Sequence, residues 1–150
     1  MATAPQPSDG VESPRLRRQI APPTPIMSAR SALVLFAHGS RDPEWVRPFE
    51  QLRDTAQQQA PNVVVALAYF ESAAPDLNHC VRTLAADGVT AIQVLPLFLA
   101  MGRHLRTDIP ALAERIKLDY PGLNIEFLPA LGEAPEFVAA LGAIALRVAR

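Results

Sequence analysis

The chain has 150 residues, 49% hydrophobic and 19% charged, with a formal net charge of −1. That is ample core material for one domain and too apolar a balance for a fully disordered chain. With no Lys/Arg cluster inside the folded part and no apolar run near the roughly 20 residues that span a bilayer, neither nucleic acid nor a membrane is an expected partner.

The first 26 residues stand apart. They hold Pro5, Pro7, Pro14, Pro22, Pro23 and Pro25 together with Arg15, Arg17 and Arg18, and show almost no apolar periodicity. Residues 1–30 are therefore expected as a disordered Pro/Arg-rich tail, and 31–150 as the folded domain. The stretch lacks the apolar core of a secretory signal. Met27-Ser28-Ala29 offers an alternative start, so a chain beginning at Met27 is expected to stay active.

Ala32 to Ala37 is a continuous apolar run, the pattern of a strand buried on both faces. Residues 43–59 follow with helical spacing, Trp45, Phe49, Leu52 and Ala56 on one face, capped by Asp42 and opened by Pro43. Pro48 is expected to delay or kink that helix. Val63 to Phe70 reads as a second strand. Pro75 opens a second helix with Leu77, Cys80, Val81 and Leu84 facing inward and Gly88 ending it. Cys80 is the only cysteine. It cannot close an internal disulfide or supply an iron–sulfur cluster, and a reducing cytoplasm is its simplest setting. Ala91 to Leu99 is the third strand. A third helix is expected after Asp108-Ile109-Pro110, carrying Leu112, Ile116 and Tyr120. Leu123 to Leu128 alternates like a half-exposed strand, and a last helix covers about 134–148.

Four βα units imply an α/β fold: one small open parallel sheet, flavodoxin-like, in the order 2-1-3-4. Strand 2 would be an edge, yet it is apolar throughout, so something is expected to cover it. The last helix is apolar most of the way round and is expected to be buried on more than one side. Both features hint at a homodimer.

Open parallel sheets bind ligands beyond the carboxyl ends of their strands. There the first three strands deliver His38, Glu71 and His104. Strands 1, 2 and 3 are neighbours in the expected order, so the three side chains should converge along one rim. Each alone has an ordinary reading: His38 as a core or capping histidine, Glu71 as a capping acid, His104 as a solvated helix start. Their coincidence is the signal. Two imidazoles and a carboxylate suit a borderline divalent ion such as Co²⁺, Ni²⁺, Fe²⁺ or Zn²⁺. His79, inside the second helix, is expected at the surface. No Gly-x-Ser-x-Gly elbow surrounds Ser40, and neither a P-loop nor a Gly-x-Gly-x-x-Gly turn is present, so no nucleotide cofactor is expected.

The segments Phe36 to Pro43, Tyr69-Phe70-Glu71, and Leu95 to His104 continuing through Asp108-Ile109-Pro110 resemble the sirohydrochlorin chelatases of the short CbiX type. The resemblance implies a lyase that inserts Co²⁺ for cobalamin or Fe²⁺ for sirohaem into a sirohydrochlorin-type tetrapyrrole, as cobaltochelatase or ferrochelatase. It also implies a chain that works as a homodimer. On this reading His38 and His104 hold the ion and take protons from the ring, while Glu71 adds negative charge and relays protons outward. Arg41, Arg103 and Arg106 would pair with substrate carboxylates. Gly39, Ser40 and Gly102 would let backbone N–H groups approach, and Met101 would wall the macrocycle face, with Phe98 and Leu99 as wall or core. A carrier that binds ion or macrocycle without turnover is the alternative on the same fold. A hydrolase using Ser40 and His104 is a third reading.

Overall fold

The computed structural model describes residues 30–149. Nearly all of the expected N-terminal tail lies outside them. The elements run β1 (Ser31–Ala37), α1 (Pro43–Gln59), β2 (Val64–Tyr69), α2 (Leu77–Ala86), β3 (Ala91–Pro96), α3 (Arg103–Asp119), β4 (Asn124–Phe127), a 3₁₀ turn (Leu131–Glu133) and α4 (Pro135–Val148). The strands form one parallel sheet in the expected order β2-β1-β3-β4.

Side chains alternate across the sheet and sort the core into two layers. On one face Ala32, Val34, Phe36, Ile92 and Val94 pack against α2 and α3 through Leu77, Val81, Ile109 and Ile116. On the other, Leu35, Ala37, Val65 and Leu67 pack against α1 through Trp45, Val46 and Phe49. The central β1 is buried on both sides, as its unbroken apolar run required.

Four expectations for α1, β3 and α3 need correction. Leu52 is 42% exposed, and Val46 takes its place on the inner face of α1. Pro48 lies within α1 without displacing its start, because the Asp42 side chain accepts from the Glu44 N–H and fixes the first turn. β3 stops at Pro96 rather than Leu99; beyond it Phe98 turns into the core and Leu99 outward. α3 starts at Arg103, not after Pro110, which it contains. Pro110 has no N–H to give the Arg106 carbonyl. The helix bears that loss because Ile109 and Ala113, on either side of Pro110, are buried.

Both faces of the edge strand β2 are covered from within the chain, while among the described residues its outer edge is paired at Tyr69 and opens beyond that to a groove lined by Ala66 and Leu67. Leu67 and Ala68 lie under α1 and α2, and the Tyr69 N–H donates to the Pro75 carbonyl at 2.9 Å as the following loop returns alongside. The last helix behaves in the opposite way: no residue of α4 is buried, and the 3₁₀ turn before it is its principal neighbour.

Cys80 is buried as expected, and burial first, then the Asp76 carboxylate, push its thiol up to about 11. Gln57 carries no signal in the sequence, yet it is a structural link. Its amide nitrogen donates to the Ala60 and Val63 carbonyls at 3.1 and 2.8 Å, and its oxygen accepts from the Val65 N–H at 2.8 Å. One side chain thus clamps the α1–β2 junction. Gln57→Ala is expected to cost about 2 kcal/mol, since three half-buried backbone groups lose partners. Urea unfolding reads this directly, and a loss below about 0.5 kcal/mol would mean that water replaces the clamp.

Candidate functional site

β1 ends in Ala37 and hands the chain to His38, which is exposed, and Gly39, which is buried. Backbone bonds then zip this end to its neighbour. Phe70 N–H donates to Ala37 O at 2.8 Å, and Glu71 N–H to His38 O at 2.9 Å. Gly39 has φ +99°, and a Cβ there would lie 1.7 Å from the Glu71 carbonyl oxygen. Only glycine allows so close an approach. The result brings His38 Nε2 to 2.9 Å from Glu71 Oε1. Ser72, just beyond, is left-handed at φ 58°.

Both side chains are half-exposed, 47% for His38 and 56% for Glu71. In water-accessible surroundings such a pair contributes at most about 1 kcal/mol to stability. Its significance is chemical. An imidazole nitrogen and a carboxylate oxygen face one point that is open to solvent, and a proton or a borderline divalent cation can occupy that point. Phe70 backs the imidazole, with ring centroids 6.1 Å apart.

The other strand ends are tied in a similar way. Leu97 N–H donates to Phe36 O, and Gly132 N–H to Phe98 O, both at 2.8 Å. A Cβ on Gly132 would lie 1.8 Å from the Leu99 carbonyl oxygen. This second close approach fixes the loop that leads through Met101 and Gly102 into α3. The sequence marks Gly132 as a site-forming residue only by its place after the fourth strand.

His104 stands in the first turn of α3, exposed. It does not join the pair: among the described residues no group of three or more His, Cys, Asp and Glu side chains is placed to hold a metal. The expected three-way convergence is therefore realised within one chain for His38 and Glu71 only. Arg41, Arg103 and Arg106 are exposed near the histidines in sequence, and Arg106 spends one N–H on the Met101 carbonyl at 3.0 Å. Met101 is half-buried against the core, and Gly102 caps α3. Ser40 Oγ accepts from the Asp42 N–H at 3.1 Å, so it shapes the loop.

Beside this loop lies a cleft of about 300 Å³ lined by Ser40, Arg41, Val46, Glu50 and Tyr69 among others. Burial first, and then the Glu50 carboxylate, raise the Tyr69 phenol above its usual value, so it is a neutral donor near pH 7. Neither Tyr69 as a donor nor Glu50 is evident from the sequence; Glu50 sits one turn beyond Val46 on a helix whose visible signal is its apolar face. A larger groove of about 600 Å³ runs between α2 and the β2 edge and includes His79, which is exposed as expected. It holds neither His38 nor Glu71, and the rim, where ionisable groups converge at the strand ends, is the better candidate.

Comparison with known proteins gives a consistent picture. The sequence pattern of the CbiX family matches residues 32–146. A sirohydrochlorin cobaltochelatase of Methanosarcina acetivorans is 32% identical over 99 residues, 66% of this chain and 74% of that protein. The crystal structure of a CbiX protein from Marinobacter aquaeolei VT8 superposes with a TM-score of 0.70 at 36% identity, covering 78% of this chain and 95% of that one. The sirohydrochlorin chelatase SirB of Bacillus subtilis subspecies spizizenii, solved in complex with cobalt, gives 0.68 at 24% identity. It shares the fold, and this chain matches 52% of its length.

Proposed function

The chain belongs to the CbiX family, and from that premise we propose that it inserts a divalent metal ion, Co²⁺ or Fe²⁺, into a sirohydrochlorin-type tetrapyrrole. The observation that carries this reading is the His38–Glu71 pair, 2.9 Å apart and open to solvent at the strand ends. Insertion replaces two pyrrole N–H protons by one M²⁺, so the site must present the ion and remove two protons. Imidazole does both near neutral pH. Glu71 holds the imidazole in orientation and carries protons onward to water. A site with few ligands and open access also releases its ion readily, as delivery to four ring nitrogens demands; a closed tetrahedral set would retain it.

His104 is assigned as the second imidazole of the reaction, acting from the neighbouring rim. Arg41, Arg103 and Arg106 are assigned to the carboxylates of the macrocycle, whose planar acid groups suit guanidinium. Met101 forms apolar wall, and Gly39, Ser40 and Gly102 line the approach. Two copies of the chain are proposed to make the working enzyme, supported by the match to about half of SirB and by the uncovered α4. The single buried thiol suits a reducing cytoplasm.

The test is anaerobic turnover of sirohydrochlorin with Co²⁺ or Fe²⁺, followed by macrocycle absorption beside a no-enzyme control and a His104→Ala variant. Catalytic conversion about tenfold or more above the variant is expected. Binding in a fixed ratio without turnover would make the protein a carrier instead.

A further inference from the structure

The smaller cleft shares its walls with the rim. Ser40 and Arg41 follow directly on His38 and Gly39, while Tyr69 and Ala73 flank Glu71 on the next strand end. The loops that bring His38 and Glu71 together thus also form this cleft. Metal insertion as read above gives no task to Tyr69 or Glu50. Tyr69 is only 3% exposed and packs with Leu35, Leu67 and Phe49. A buried phenol ordinarily finds a hydrogen-bond partner. Among the described residues the Tyr69 hydroxyl has none, yet it is not sealed from solvent, so it ends in the cleft as an unused donor. One cation stands with it. Arg53 is engaged by Asp54 at 2.7 Å, whereas Arg41 forms no ion pair among the described residues. The first turn of α1 adds little, because the Glu44 and Trp45 N–H groups both donate to Asp42.

We infer that this cleft takes one acid arm of the tetrapyrrole, its carboxylate held between the Arg41 guanidinium and the Tyr69 hydroxyl. The inference rests on the sirohydrochlorin reading above and names a specificity-determining residue, Tyr69, that the reading lacks. Size selects an arm rather than the ring. At about 300 Å³ the cleft is at the small end of pockets that enclose whole ligands, roughly 300–1,000 Å³. Val46, Ala73 and Ala74 supply apolar wall for the methylene stem. Guanidinium and phenol are both donors, and a carboxylate accepts from both. Glu50 has two effects. Burial first, and then its carboxylate, keep the phenol protonated and so a donor. Its negative charge also opposes a free small anion. An arm of a ligand already anchored at the rim overcomes that opposition, because tethering raises its local concentration. The cleft therefore reads the acid arm of a bound macrocycle and discriminates against loose anions.

The test titrates the full chain, without metal and without oxygen, with sirohydrochlorin and with its amide, in which every arm is a neutral carboxamide; macrocycle absorption reads binding. Tyr69→Phe keeps the packed ring and drops the hydroxyl. It is expected to raise the Kd for the free acid about tenfold, as for a lost hydrogen bond to a charged group, and to shrink the preference for acid over amide about fivefold. A merely structural Tyr69 would weaken both ligands alike. Glu50→Gln is expected to tighten the free acid about threefold by removing a like charge, and it decides the matter if Tyr69→Phe does not fold. A Tyr69→Phe chain that binds the acid within twofold of the parent, or loses both ligands equally, overturns the inference, as does a Glu50→Gln chain that binds no tighter. Metal is then added. A macrocycle that is bound with the expected preferences but never metallated overturns the enzymatic reading alone, and a parental chain that binds neither ligand overturns both.

Discussion

His38→Ala is expected to lower metal insertion by about a hundredfold to ten-thousandfold while leaving the fold intact. The two effects separate because of where the imidazole stands. It is half-exposed, and its pairing with Glu71 is worth at most about 1 kcal/mol to the folded state. Its removal leaves no buried orphan, since Glu71 is more exposed still. The reaction, in contrast, loses a proton acceptor and a nitrogen donor together. A positioned general base contributes about 10²–10⁴ in rate, or about 3–5 kcal/mol of barrier. Glu71→Gln keeps the size and one acceptor oxygen and removes the charge, so a smaller loss of about tenfold is expected. Steady-state turnover with thermal melts on the same samples checks both. A His38→Ala enzyme within threefold of the parent would remove the imidazole from the mechanism.

Gly39→Ala is expected to unsettle fold and activity together. A methyl group cannot sit 1.7 Å from the Glu71 carbonyl oxygen, and both sides of that contact are backbone. The loops after β1 and β2 must part, and φ +99° adds strain for any side chain. The expected cost is about 3 kcal/mol, or a Tm lower by about 10 °C. Because Glu71 moves with its backbone, turnover of the folded fraction should fall at least as far as in Glu71→Gln. Gly88 supplies the control. It has φ +82°, but a Cβ there would meet nothing within 4 Å, so Gly88→Ala bears only the conformational cost of about 1 kcal/mol. Equal melts for the two variants would show that the close approach at Gly39 is not what fixes the rim.

The fold is legible because its signals are local and redundant. Apolar runs at 32–37 and near 64–69 and 91–96, separated by helical spacing, leave one economical topology, and the strand order follows from it. The adjacency of His38 and Glu71 is legible for the same reason, since strands 1 and 2 have to be neighbours. What escapes depends on contacts the sequence does not print. Whether Leu52 or Val46 turns inward is set by the rotation of α1 over β2. Pro110 has the look of a helix boundary, whereas burial of Ile109 and Ala113 outweighs its missing bond and lets α3 begin earlier. At Gly39 the sequence suggests a use for the N–H, yet the structure uses the lack of a Cβ. For α4 the composition points to a need for partners, but the chain folded alone leaves no residue of that helix buried.

The central position of β1 has a consequence for synthesis. β1 pairs with β2 on one side and β3 on the other. When β2 leaves the ribosome, β1, α1 and β2 can already close as a βαβ unit. The second edge of β1 then stays open, with its carbonyl and N–H groups unpaired, until β3 arrives roughly 30 residues later. At about 5–20 residues per second that interval lasts a few seconds. During it the nascent chain presents a bare apolar strand edge, the kind of template to which other chains add. Chaperone contact with the emerging stretch between residues 70 and 96 should therefore influence yield more than comparable contact after residue 97, once the centre of the sheet has closed.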